Sequence, residues 1–169
     1  EVYVRADMAA HVFETLMEAG AAHGLTLCGL HAMDCARAEK AFRHFGHDIT
    51  CEDHVLEAGL GFAVKTKKAS DFIGRDAVLR KREAGLERRL LQFRLSDPEP
   101  LLYHNEPILR DGVIVGHVSS GAYGHSLGGA VGLGYVPCAG EDLASVLAST
   151  YEIDVAGVRV RAEVSSRPM

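Results

Sequence analysis

His44, His47 and His54 lie close in the chain to Asp48, Glu52 and Asp53, and together these carry the residue types of a metal site. Their spacing, His-x2-His-x6-His, matches no closed zinc pattern, and Gly46 spoils the i, i+3 presentation that a helix would give the first two. The expectation is solvated turn histidines and no metal. Cys35 could pair with a remote histidine as a nucleophile, but nothing around it in sequence lowers a thiol pKa in an identifiable way. No Gly-x-Ser-x-Gly elbow occurs, and Ser119-Ser120-Gly121 reads as a turn in a β-barrel. No Gly-x-Gly-x-x-Gly opens a helix after a strand, since Gly59-x-Gly61 lacks the third glycine and the helix. The chain therefore carries no flavin or nicotinamide site of its own, and no catalytic residue is assigned. What remains is Leu56–Val64, an apolar, Gly-rich run with one acid, Glu57, inside it. As a strand, its two glycines would leave one pleat face bare, open to close approach. A binding wall and a buried Gly-rich strand both fit.

Composition narrows the classes. A chain of 169 residues with 47% apolar and 24% charged residues has enough material for one domain, or one and a half small ones. Its formal charge of −5, with no Lys/Arg stripe interleaved with aromatics, argues against a nucleic-acid partner. No apolar run reaches the roughly 20 residues of a membrane span. The abrupt start at Glu1-Val2-Tyr3-Val4-Arg5, without a secretory pattern, is expected of a piece of something longer. Cys28, Cys35, Cys51 and Cys138 form no Cys-x-x-Cys pair and read as reduced thiols.

The elements that must position these residues change character along the chain. Glu1–Arg5 alternates like a strand, and Asp7 is placed to cap a helix from Met8 to Glu18 that closes at Gly20 and Gly24. Leu25–Leu30 reads as a short strand, Ala32–Phe42 as a second helix, Leu60–Val64 as a strand. Asp76–Glu83 reads as a third helix, closed by Gly85. From Leu86 onward β signals take over. Leu90–Leu95 alternates, and Ile108–Val115 is a hairpin about Asp111-Gly112. Ala130–Val136 is a Gly-studded strand, and Tyr151–Val155 pairs with Val158–Val164 across Ala156-Gly157. The expected fold class is α+β: an α+β part over residues 1–85, then a small antiparallel β-barrel over 86–169.

The same residues resemble a known family. Gly29–Lys40 is similar to the G-L-x-A-x-D-x-L-R-x-E-K segment of the aminomethyltransferase (glycine cleavage T-protein) superfamily. Gly46–Ile49 follows at the expected distance, Leu56–Val64 resembles L-E-A-G-L-G-[FW]-x-V, and Asp71–Arg75 resembles D-F-I-G-R. Pro107–Leu109, Gly116–Gly121 and Gly132–Val136 continue the match in register. Glu39-Lys40 and Phe45-Gly46-His47 look most like the folate-binding C-terminal region of dimethylglycine and sarcosine dehydrogenases.

The resemblance implies the C-terminal portion of a folate-binding α+β domain over residues 1–85 and the family's C-terminal barrel over 86–169. It implies tetrahydrofolate as cofactor, accepting a one-carbon unit from an N-methyl amine to give 5,10-methylenetetrahydrofolate. It also implies partner portions upstream of this sequence, namely the rest of the folate-binding region and, in the dehydrogenase branch, a domain that holds FAD. Without them, this chain is not expected to be active. Glu1 matches a family glutamate that accepts hydrogen bonds from the pterin amino and ring N–H groups, although the glycine that precedes it in the family is missing. Phe62 takes the place of an aromatic that packs on the folate, with plain core packing as the alternative. Arg37 and Glu39 read as a structural ion pair or cap. Met33 stands where glycine-cleavage members carry a folate-binding arginine, which weighs against a simple glycine-cleavage role. A glycine-cleavage-type aminomethyltransferase and a non-catalytic folate-binding or structural domain remain as alternatives.

Overall fold

The computed structural model describes residues 1–169. The chain divides into two compact units, Glu1–Met33 and Asp34–Met169.

In the first unit, residues 1–5 form no regular element, a single 3-10 turn covers Ala6–Met8, and helix α1 runs over Ala9–Ala21. The expected strand at Glu1–Arg5 is thus absent, because alternation supports a strand only when another strand pairs with it. Asp7 is not the cap: it lies inside the 3-10 turn and takes both an Nε (3.1 Å) and an Nη2 (2.8 Å) hydrogen bond from Arg5. The end of α1 follows the expected glycines. The Leu25 N–H returns to the Gly20 carbonyl (3.0 Å) and the Gly24 N–H to Ala21 (3.2 Å), with Gly24 left-handed at φ +71°. Leu25–Leu30 makes no strand, and Leu30 instead opens helix α2, Leu30–Glu39. Phe13 and Leu16 on α1 are half exposed, and Leu27 and Leu30 more so.

The second unit begins within α2. Its C-terminus is closed by Phe42 N–H to Arg37 O (2.9 Å) and Ala41 N–H to Ala38 O (3.0 Å), with Ala41 left-handed at φ +51°. This is the paired-bond helix ending that glycine usually provides. Leu60–Val64, expected as a strand, is a 3-10 turn at Gly61–Ala63 within a run of turns. Helix α3, Arg75–Ala84, is flanked by Gly74 and Gly85, both with positive φ.

Six strands follow: β1 Arg88–Leu95, β2 Pro107–Arg110, β3 Val113–Gly124, β4 Gly129–Pro137, β5 Tyr151–Val155 and β6 Val158–Ser165. They close an antiparallel barrel in the order β1-β4-β3-β2-β5-β6. The fold is therefore mixed helix and sheet with a closed antiparallel barrel, as expected. Asp111-Gly112 and Ala156-Gly157 take positive φ at both central positions, the backbone that a two-residue hairpin loop demands. A short helix, α4 (Leu143–Ala148), was not expected; Asp142 caps it by accepting the Ser145 N–H at 2.7 Å. Ser119-Ser120-Gly121 is not a turn but the middle of β3, where the register against β4 shifts between Val118 and Ser120. That bulge inserts Ser119 and re-aims its side chain.

Phe93, Leu91, Ile108, Val118, Val136, Tyr151 and Ile153 fill the barrel, with the Phe93 and Tyr151 rings edge to face at 5.4 Å. β1 is buried on both faces. Leu91, Phe93 and Leu95 belong to the interior cluster, whereas Leu90 packs with Ala41 and Leu133 in a second one. The chain segment after α2 covers that outer face and is fastened to the barrel there.

Candidate functional site

Two charged knots fasten the Asp34–Gly74 segment to the barrel. In the first, Arg37 on α2 donates to Asp34 (3.1 Å), Asp48 (2.9 Å) and the Ser120 hydroxyl (3.0 Å). Asp48 is fully buried and also accepts the His44 N–H (2.8 Å) and the bulge hydroxyl of Ser119. Arg37 thus makes the structural ion pair that its sequence context suggests. Glu39 instead accepts the Ser126 N–H at 2.8 Å, which holds its carboxyl below the ordinary range.

In the second knot, Glu57 is buried and takes Lys81 Nζ (2.9 Å), Arg88 Nε (3.2 Å) and the Glu87 N–H (3.3 Å). Burial works against its charge, but the hydrogen bonds from Lys81 and Arg88 outweigh it, and the carboxyl is held below the usual carboxylate range. Arg88 also pairs with Asp53 (2.8 Å) and lies over the Tyr135 ring, 4.5 Å from its centroid. Burial, with the Asp53 charge behind it, pushes the Tyr135 phenol up to about 12. The lone acid in the Gly-rich run is therefore a fastener.

The glycines beside it are not bare pleat positions. Gly59 sits in a turn at φ +71°, and a Cβ there would come within 2.6 Å of Arg43 Nη2. Arg43 lies across that turn, donating to Ala58 O (2.9 Å) and Ala41 O (2.7 Å). The glycine makes room for a guanidinium.

These fasteners leave Phe62 on its 3-10 turn with 81% of its surface exposed, which excludes core packing within this chain. It borders a cavity of about 540 Å³. Phe42, Ile49 and Leu60 supply more apolar wall, Lys40, Arg43 and Arg167 supply cations, and Ser166 and Pro168 of the C-terminal tail form one side. An apolar floor with exposed aromatics and three cations suits a ligand with a flat ring system and anionic groups.

Glu1 belongs to the other unit, where it is exposed and accepts the Tyr3 hydroxyl. Met33 is 57% exposed on α2. The His44 and His47 rings face each other at 4.5 Å, and His54 Nδ1 accepts the Leu56 N–H (3.2 Å). No group of three or more His, Cys, Asp or Glu side chains is placed to hold a metal ion. Burial pushes the Cys138 thiol up, away from a nucleophile's range. Sequence reasoning missed Arg43, Arg167 and Gln92; of these only Gln92, an amide within an apolar alternation, left a signal.

The family model for the glycine cleavage T-protein C-terminal barrel domain matches residues 88–169, and that for the GCVT N-terminal domain matches residues 1–68. The chain belongs to the aminomethyltransferase (glycine cleavage T-protein) superfamily. It is 40% identical over 168 residues to 4-methylaminobutanoate oxidase (formaldehyde-forming) of Paenarthrobacter nicotinovorans, covering 99% of this chain and 20% of that protein. Against an aminomethyltransferase of Symbiobacterium thermophilum the identity is 39% over 168 residues, 99% of this chain and 44% of that protein. Against mitochondrial dimethylglycine dehydrogenase of Homo sapiens it is 32% over 169 residues, 100% of this chain and 19% of that protein. The crystal structure of glycine cleavage system aminomethyltransferase T from Bartonella henselae superposes with a TM-score of 0.79 at 27% identity, over 96% of this chain and 44% of that one. The chain thus spans less than half the length of each of these relatives. They include bacterial and mitochondrial proteins, and no helix here is long and apolar enough to cross a membrane.

Proposed function

We propose that this chain is the tetrahydrofolate-binding C-terminal part of a longer FAD-dependent enzyme of the dimethylglycine and sarcosine dehydrogenase kind. In that enzyme the one-carbon unit of an N-methyl amine passes to tetrahydrofolate, giving 5,10-methylenetetrahydrofolate. The observation that carries this reading is the cavity beside Phe62, whose exposed ring, apolar floor and three cations suit a folate. Phe62 packs on the ligand, and Lys40, Arg43 and Arg167 face its carboxylates; Glu1 is assigned to the pterin amino and ring N–H groups by the family match alone. FAD is held outside this chain, which has no phosphate-cradling loop. Residues 1–85 serve as the folate-binding portion and 86–169 as the barrel. The end of α3 at Ala84, the Gly85 cap and the start of β1 at Arg88 support that boundary. The setting is a bacterial cytoplasm or a mitochondrial matrix.

The second reading is a glycine-cleavage-type aminomethyltransferase with no flavin, favoured by the 39% identity to such a protein. The natural polypeptide that carries this chain separates the two. Stoichiometric flavin and folate-dependent formation of 5,10-methylenetetrahydrofolate from an N-methyl amine are expected. A flavin-free polypeptide with no amine oxidation overturns the first reading in favour of the second.

A further inference from the structure

Gln92 lies in β1 between Leu91 and Phe93, both of which belong to the barrel's interior cluster. Strand alternation turns Gln92 outward, yet it is 2% exposed. Burying a primary amide is costly unless its donors and acceptor are satisfied, and here they are. Its Nε2 donates to Ala38 O (2.7 Å) and Glu39 O (3.1 Å), carbonyls at the end of α2. Its Oε1 accepts the Met169 N–H at 3.0 Å. Both segments lead straight into the cavity: α2 runs on into Lys40, Phe42 and Arg43, and Met169 follows Ser166, Arg167 and Pro168. Past Ser165, where β6 ends, the tail has one other backbone hydrogen bond, Arg167 N–H to Ser165 Oγ, which holds it only at its root on the strand's last residue.

We propose that Gln92 is a positioning residue that clamps the two facing walls of the Phe62 cavity and so sets how tightly the cavity holds its ligand. The proposal rests on the folate reading of that cavity. It needs no contact between Gln92 and ligand. The single amide fixes where Arg167 stands relative to Lys40 and Arg43, and so fixes the spacing of the cations that meet the carboxylates. An apolar side chain would fill the same space but release the Met169 wall, while the α2 wall keeps its own ties through Arg37, Ala41 and Arg43. The Met169 N–H gives an independent handle, because proline at 169 removes that donor without touching the barrel, whereas alanine keeps it.

The experiment uses the natural polypeptide that carries this chain, as wild type, Gln92→Leu, Met169→Pro and Met169→Ala. Amide hydrogen exchange is followed without ligand, and folinic acid is titrated by calorimetry. Exchange at Arg167 should accelerate about tenfold in Gln92→Leu and Met169→Pro, but not in Met169→Ala, with Phe93 and Leu95 staying protected. Folinic acid affinity should fall about five- to tenfold in the first two, the scale of one hydrogen bond, and less than about twofold in Met169→Ala. Wild-type affinity in Gln92→Leu or in Met169→Pro overturns the proposal, as do equal losses in Met169→Pro and Met169→Ala. If Gln92→Leu does not fold, the Met169 pair decides. If the wild type binds no folinic acid, the folate reading falls, and unchanged Arg167 exchange in Met169→Pro overturns the clamp itself.

Discussion

Replacing Asp48 with asparagine should unfasten the segment after α2 from the barrel. The Asp48 side chain is fully buried, and that of Arg37 is 17% exposed. The carboxylate takes three donors: Arg37 Nη1 at 2.9 Å, the His44 N–H at 2.8 Å and the Ser119 hydroxyl. Asparagine keeps the shape but offers one acceptor oxygen instead of two and no charge. Arg37 is then left beside Asp34 and the Ser120 hydroxyl, and Asp34 is 41% exposed and too well solvated to replace the lost partner. Removing one member of a buried pair costs roughly 3–5 kcal/mol, most of it the stranded charge. For a chain of this size that lowers Tm by roughly 6–20 °C. The assay is thermal and urea unfolding of wild type, Asp48→Asn, Arg37→Met and the double variant. Because the double variant strands no charge, it should recover part of the loss. A loss below about 1 kcal/mol in Asp48→Asn, or strictly additive effects in the cycle, would refute the reasoning.

Two further outcomes follow from the other knot and its neighbouring turn. Glu57→Gln should cost roughly 1.5–3 kcal/mol at pH 7. The Glu57 carboxyl has a folded pKa below its unfolded one, so its stabilisation is complete above the unfolded value, near 4.3, and disappears as pH falls through the lower folded value. Wild-type and Glu57→Gln unfolding curves should therefore converge in acid, and a difference that persists unchanged at pH 3 contradicts this. Gly59→Ala should lower stability by at least about 1–2 kcal/mol, through its left-handed backbone and through displacement of the Arg43 guanidinium from Ala58 O and Ala41 O. Chemical denaturation checks it, and an unchanged midpoint denies the strain.

Much of the barrel is legible in the sequence because its information is local. Asp111-Gly112 and Ala156-Gly157 announce hairpin loops by their backbone demands, and the flanking strands then pair with neighbours in the same chain. The same alternation at Glu1–Arg5 yields no strand, because alternation describes a face and says nothing of a partner. Leu60–Val64 misleads for a different reason: its apolar, Gly-rich composition suits a strand, but local bonds from Leu60 N–H to Val55 O and Ala63 N–H to Leu60 O turn it, while Arg43 and the buried Glu57 pin the residues just before it through contacts 15 to 31 residues away. Ser119 is hidden by a bulge, which shifts register by one residue and leaves no compositional mark. α4 has a sequence signal in Asp142 ahead of Leu143, Val146 and Leu147 at helical spacing, but a span of only Leu143–Ala148 makes that signal weak. Phe62 takes its candidate role from its motif, whereas Lys40, Arg43, Arg167 and Gln92 are brought near it only by the fold.

Calorimetric titration of folinic acid into the natural polypeptide that carries this chain tests the central claim most directly, run beside its Phe62→Ala and Glu1→Ala variants. The account predicts saturable binding at one site. Affinity should fall about tenfold in Phe62→Ala with the melting temperature unchanged, since that ring is 81% exposed. It should fall about ten- to a hundredfold in Glu1→Ala, which leaves a pterin edge unpaired. A folded polypeptide that binds no folinic acid, or that binds it equally well in all three forms, would contradict the account.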